Sequence, residues 1–157
     1  MRLLIKGHSI VASLGRSALV SQIHQIPANW DVRFDGRPGA QTVTFLRNAP
    51  VMDPLPHVVF VVLGENDIGS MSPYVIVNNL IRIVDFLIRC GVLAVCGGSM
   101  LPRTHPRGLG RSQYSRLART VNRELARVFS ALDGVFFCNF RRFRGVYIRG
   151  VHIPFHI

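Results

Sequence analysis

"LLIKGHSIV", residues 3–11, runs an apolar stretch into Gly7-His8-Ser9 and then becomes apolar again. A glycine that breaks such a run, followed at once by histidine and serine, marks a strand that ends in a turn and opens a helix. The residue on that turn stands at the carboxyl end of the strand. Ser9 is then either an ordinary turn-and-cap serine or a hydroxyl held up to react. The rest of the chain decides between the two.

The same strand-to-helix pattern recurs outward from there. Leu3 to Lys6 reads as a short strand, and Ile10 to Gln25 as a helical segment closed by Pro27. Asp31 to Phe34 is a second strand. "DGRPGAQT", residues 35–42, is a loop leading to a short helix ended by Pro50. "HVVFVVL", residues 57–63, is β-branched without alternation, as in a strand covered on both faces. Ser72 is a good N-cap with Pro73 at the first helical position. Asn78, Arg82, Asp85 and Arg89 then fall on one polar stripe, and Gly91 ends that helix. "VLAVCG", residues 92–97, is a fourth strand, "GGSM", residues 97–100, reads as a tight turn, and a Pro- and Gly-rich loop follows. A helix over 112–132 places Leu117, Val121, Leu125, Val128 and Leu132 opposite Arg116, Arg119, Arg123 and Arg127. "VFFCNF", residues 135–140, is a fifth strand.

Five such units predict an α/β fold in three layers, with a five-stranded parallel sheet of order 2-1-3-4-5 and helices on both faces. Ligands of such sheets bind beyond the carboxyl ends of the strands. That edge receives "GHS" after strand one, "GRPGAQ" after strand two and "LGENDI" after strand three. "GVHI" comes after strand five. A serine hydroxyl needs a base to take its proton, and histidine is the usual base near neutral pH. The developing oxyanion needs donors fixed in advance. The backbone N–H groups of Ser9 and Gly39 and the side-chain amide of Asn66 supply three.

Order and spacing of these blocks resemble the SGNH, or GDSL-type, hydrolases. "KGHSIV" is similar to the block that carries the serine, with His8 where aspartate is commonest. "RPGAQT" is similar to the second block, with Gly39 as oxyanion glycine. "LGENDI" is similar to the third, with Gly64 opening it, Asn66 as its asparagine and Asp67 supporting the loop. "RGVHI" is similar to the last, with His152 as the base. The resemblance implies a flavodoxin-like SGNH domain over residues 1–157, lacking the family's C-terminal closing helix. It implies a carboxylic-ester hydrolase acting on a small ester of a lipid or an acylated carbohydrate. "GHS" in this frame is also similar to the esterase-like domains of some retrotransposon proteins.

One departure weakens that implication. The family's acidic residue three positions before the histidine is replaced by Arg149. In a serine protease, loss of that acid costs about 10⁴-fold in rate, and a nearby cation lowers a histidine pKa. A backbone carbonyl orienting the ring would leave a Ser–His pair.

Bulk properties bound the alternatives. With 157 residues, 48% of them hydrophobic, the chain suits one globular domain. No apolar run has the length of a membrane span, and the N-terminus lacks the pattern of a signal peptide. Cys90, Cys96 and Cys138 are an odd number without paired spacing, the expectation being reduced thiols in an intracellular protein. There is no P-loop, no dinucleotide fingerprint and no Gly-x-Ser-x-Gly elbow, so no cofactor is expected. His152 and His156 flank Pro154, which argues against a metal-binding helix, so no metal is expected. Net charge is +11, unevenly placed: residues 1–100 carry eight basic and six acidic side chains, residues 101–157 eleven and two. That asymmetry suits a polyanionic neighbour, nucleic acid or an anionic membrane surface. The alternative function is therefore a catalytically impaired SGNH-fold module, binding nucleic acid or an acidic partner through Arg116, Arg119, Arg123 and Arg127.

Overall fold

A computed structural model describes residues 1–16, 29–48, 52–103, 106, 108–140, 145–148 and 151–154; in the last two segments only the backbone is described. Its elements follow the order β1 (Arg2–Gly7), α1 (Ser9–Gly15), β2 (Asp31–Gly36), α2 (Thr42–Arg47), β3 (Val58–Val62), α3 (Pro73–Arg89), β4 (Ala94–Gly98), α4 (Arg111–Phe129), β5 (Val135–Cys138), β6 (Gly145–Ile148) and β7 (Val151–Pro154). Strands β1 to β5 form one sheet of order β2-β1-β3-β4-β5, every pair parallel. This is the sheet that the strand–helix alternation predicts.

The β-branched run of β3 shows why the sheet needs cover on both faces. Val59 and Val61 point into a large core built with Ile76, Leu80, Ile83 and Leu87 of α3 and with Val121, Leu125 and Phe129 of α4. Phe60 points the other way and lies 5.7 Å from the ring of Phe140. On that second side a smaller cluster joins Ile10 and Leu14 of α1 to Leu101 and Phe140.

Helix α3 begins as its sequence dictates: the Ser72 Oγ accepts the Val75 N–H at 3.3 Å and Pro73 opens the helix. Gly91, at φ +94°, ends it. Asn78, Arg82, Asp85 and Arg89 are exposed. Helix α4 buries Tyr114, Ala118, Val121, Leu125 and Phe129 and exposes Arg116, Arg119, Arg123 and Arg127, with Glu124 bridging the last two. It stops three residues before the expected Leu132, which is 40% exposed. Three-residue turns from Val128 to Ala131 and from Phe129 to Leu132 take over, and Gly134 at φ +70° turns the chain into β5.

Three further points concern the boundaries expected from the sequence. Helix α1 starts at Ser9 and is described as far as Gly15; the rest of its expected course to Gln25, with Pro27, lies outside the described residues, as does Pro50. Gly97 and Gly98 belong to β4 and not to a tight turn. A Cβ at Gly97 would sit 2.4 Å from the Phe129 ring, and one at Gly98 2.6 Å from Phe140, so aromatic packing demands glycine there. Strands β6 and β7 pair antiparallel, Tyr147 opposite His152, a ribbon that the sequence pattern did not announce.

Glycine also sets how closely α1 lies on the sheet. An added Cβ at Gly36 would fall 2.0 Å from the backbone nitrogen of Ala12. Backbone cannot step aside as a side-chain end can. Gly36→Ala should therefore destabilise the fold by about 2–3 kcal/mol, the upper range for overpacking. A urea titration checks this: the midpoint should fall with the slope unchanged. An unmoved midpoint would mean that α1 does not approach β2 this closely.

Among the described residues no helix is long and apolar enough to cross a membrane, and no group of three His, Cys, Asp or Glu is placed to hold a metal ion. No disulfide joins Cys90, Cys96 and Cys138.

Candidate active site

Because β1 to β5 are parallel, the loops that follow β1, β2, β3 and β4 gather at one edge. Ser9 is the first residue of α1, where backbone N–H groups have no partner inside the helix. The cap itself is His8, whose Nδ1 accepts the Ile10 N–H at 3.4 Å. Ser9 is thereby released from capping, and its side chain is half-buried.

His8 is completely buried, and its Nε2 lies 2.9 Å from Oε2 of Glu65, itself buried. With Nδ1 accepting from Ile10, the ring proton belongs on Nε2, which lies in close contact with the carboxylate without the alignment of a hydrogen bond. The other oxygen, Oε1, accepts the Leu101 N–H at 3.4 Å. Burial alone would raise the Glu65 pKa. The His8 imidazole beside it, its own backbone and Arg103 outweigh that and hold the carboxyl below its usual range. One carboxylate thus ties together the loops after β1, β3 and β4.

The loop after β2 is built as a tight turn. Pro38 and Gly39 are its central residues, Gly39 has φ +74°, and Ala40 N–H returns to the Arg37 carbonyl at 3.0 Å. Those are the marks of a type II turn, which requires glycine at this place for its φ and not for space. The Arg37 N–H donates to the Gly7 carbonyl at 2.9 Å, which anchors this loop beside the serine turn.

The loops after β2 and β3 are stitched to each other. Asn66 Nδ2 donates to the Ala40 carbonyl at 2.9 Å, and Gln41 Nε2 donates to the Asn66 carbonyl at 3.2 Å. Asp67 Oδ2 accepts the Thr42 N–H at 3.0 Å, and Thr42 Oγ1 accepts from Asn79 Nδ2 of α3 at 3.0 Å. Asp67 therefore supports the loop. Burial pushes its carboxyl up to about 6, against the lowering influence of Thr42. Gly64, at φ +116°, makes room for Met100: a Cβ there would meet the Met100 Cε at 2.7 Å.

Four residues that the sequence left without a role complete the rim: Glu65, Thr42, Asn79 and Arg103. Arg103 Nη2 donates to Asn66 Oδ1 at 2.9 Å, and its guanidinium lies 6.0 Å from the centre of the Tyr114 ring. The one available signal for Arg103 was a cation in the loop after the fourth strand. Gly39, Gln41, Glu65, Asn66, Ile68, Arg103 and Tyr114 line a cleft of about 130 Å³. Ser9 is not among its lining residues. The structure thus brings Gly39, Asn66 and Asp67 together directly, and reaches Ser9 through the His8–Glu65 contact. The backbone of His152 lies in β7; its side chain and Arg149 are outside the described residues.

No family model and no curated protein sequence matches the chain. Solved structures do. A member of the lipolytic protein G-D-S-L family from Veillonella parvula superposes with TM-score 0.72 at 16% identity, over 98% of this chain and 89% of that one. A GDSL-like lipase from Bacteroides thetaiotaomicron gives 0.73 at 18%, over 98% and 80%. A carbohydrate esterase family 3 structure from Talaromyces cellulolyticus gives 0.70 at 15%, over 98% and 88%. The fold is that of the SGNH, or GDSL-type, hydrolases and esterases, as the four sequence blocks lead one to expect.

Proposed function

We propose that this chain is an SGNH-type serine hydrolase that cleaves carboxylic esters of a lipid or an acylated carbohydrate. The observation that carries the proposal is the stitching of the Gly39 turn to Asn66 at the sheet edge where α1 opens on a serine freed from capping. Lipolytic and carbohydrate-esterase proteins among its structural neighbours support the two substrate classes.

In this reading Ser9 Oγ attacks the acyl carbon and His152 takes its proton. His152 is assigned on its place in "RGVHI". The N–H groups of Ser9 and Gly39 and the Asn66 amide hold the tetrahedral oxyanion. Collapse breaks the ester C–O bond, and the proton passes from His152 to the departing alcohol. Water then attacks the acyl-enzyme by the same route, releasing the acid and restoring Ser9. No cofactor enters. With Arg149 where an acid is usual, the imidazole is oriented by a backbone carbonyl, and the rate is correspondingly modest.

Hydrolysis of short p-nitrophenyl esters tests the donor set. Asn66→Ala removes one oxyanion donor and should lower kcat by about 10²–10³-fold. A kcat equal to that of the unaltered protein would take Asn66 out of the oxyanion hole.

A further inference from the structure

We propose that Arg103 is a positioning residue that fixes the polarity of the Asn66 amide, so that Nδ2 and not Oδ1 serves the oxyanion. The inference rests on the reading of Asn66 as an oxyanion donor. A primary amide is nearly symmetric in shape, and a half-turn exchanges its donor end for its acceptor end. Nδ2 at the oxyanion stabilises developing negative charge, whereas Oδ1 in its place repels it. An amide used in this way therefore needs neighbours that distinguish its two ends.

Both neighbours of Asn66 do so. An arginine can only donate, and Arg103 Nη2 lies 2.9 Å from Oδ1. A backbone carbonyl can only accept, and Ala40 O lies 2.9 Å from Nδ2. Turning the amide over would set Nδ2 against a guanidinium and Oδ1 against a carbonyl. Nδ2 carries two protons; Ala40 takes one, and the second remains for a substrate oxyanion.

The guanidinium is itself held in place. Tyr114, buried, lies beneath it and donates its hydroxyl to the Leu101 carbonyl at 3.1 Å, two residues before Arg103. The Leu101 N–H is on Glu65. The carboxylate that ties the serine turn to the rim thereby also places the group that orients the oxyanion donor.

The test combines Arg103→Met, Arg103→Lys and Asn66→Ala. With p-nitrophenyl acetate, Arg103→Met should lower kcat by about 10- to 100-fold with KM within about twofold, the loss expected for a charge-assisted hydrogen bond that acts on the transition state alone. Arg103→Lys, still a one-way donor, should recover part of the rate. Added to Asn66→Ala, Arg103→Met should cost nothing more, since its effect passes through that amide. A second readout needs no activity: the two Asn66 side-chain amide protons, assigned by NMR against Asn66→Asp, should be shifted from free-amide values and slow to exchange with solvent, and in Arg103→Met should move toward those values and exchange faster. Equal losses in the presence and absence of Asn66 would overturn the inference and put Arg103 on the substrate itself. Unchanged kcat with unchanged amide protons would overturn it outright. If the unaltered protein hydrolyses no ester while the amide protons respond as expected, the orienting contact stands and the oxyanion reading fails.

Discussion

Ser9→Ala should lower kcat/KM for short esters by at least about 10³-fold while the thermal midpoint stays within about a degree or two. Loss of a serine nucleophile costs up to about 10⁶-fold in well-evolved hydrolases, and the residual rate comes from the oxyanion donors and binding. With Arg149 at the sequence position where the resembled family has an acid, the range available for loss is smaller. Stability should hold because Ser9 contributes no cap: His8 does that. At the first helical position alanine is at least as good a helix former as serine. A variant that folds equally well and hydrolyses equally fast would remove Ser9 from the mechanism.

Glu65→Ala should destabilise the fold by about 2–5 kcal/mol, the cost of leaving two buried donors without their acceptor. The reason is the environment it leaves behind. His8 Nε2 and the Leu101 N–H both face Glu65 where water does not reach, and each unpaired buried donor costs about 1–3 kcal/mol. Because the Glu65 carboxyl lies below its usual range, its contribution is present above the ordinary carboxylate pKa and fades as pH falls through the lowered one. Denaturant unfolding at pH 7 and at low pH checks both points, with the gap between the two proteins narrowing in acid. His8→Asp makes a related case. It installs the residue commonest in the family, yet sets two carboxylates against each other in a buried site, where both cannot remain ionised. It should destabilise more at pH 8 than at pH 5, and Glu65→Gln should relieve it. Indifference of stability to Glu65→Ala would mean that this pair does not join the three loops.

The sheet order was legible because each strand carries its own evidence. The β-branched run of residues 57–63 shows no alternation, Ser72-Pro73 marks a helix start, and Gly91 marks its end. Helix α4 was legible for the same reason, apart from its end, where Ala131 and Leu132 close back on Val128 and Phe129 in tighter turns although the hydrophobic spacing continues to Leu132. The strand reading of residues 92–97 is right for Gly97, whereas the turn reading of 97–100 fails because rings from α4 and from Phe140 occupy the space of the Gly97 and Gly98 Cβ atoms. Of the site, Gly39, Asn66 and Asp67 were placed together by their motifs, and the structure adds the bonds among them. The His8–Glu65 contact was invisible in sequence, since the two residues are 57 positions apart and neither spacing nor periodicity links them. Arg103 was hidden among eleven basic residues of the last third, where bulk charge masks a single placed guanidinium.

In the proposed mechanism the loops at one sheet edge make the hydroxyl of Ser9 reactive. Mass spectrometry after exposure to an alkyl fluorophosphonate tests it most directly, because such reagents phosphonylate an activated serine and fluoride leaves. One adduct per chain is expected, on the peptide that contains Ser9, and none in Ser9→Ala. An unmodified protein, or an adduct on another residue that persists in Ser9→Ala, would contradict it.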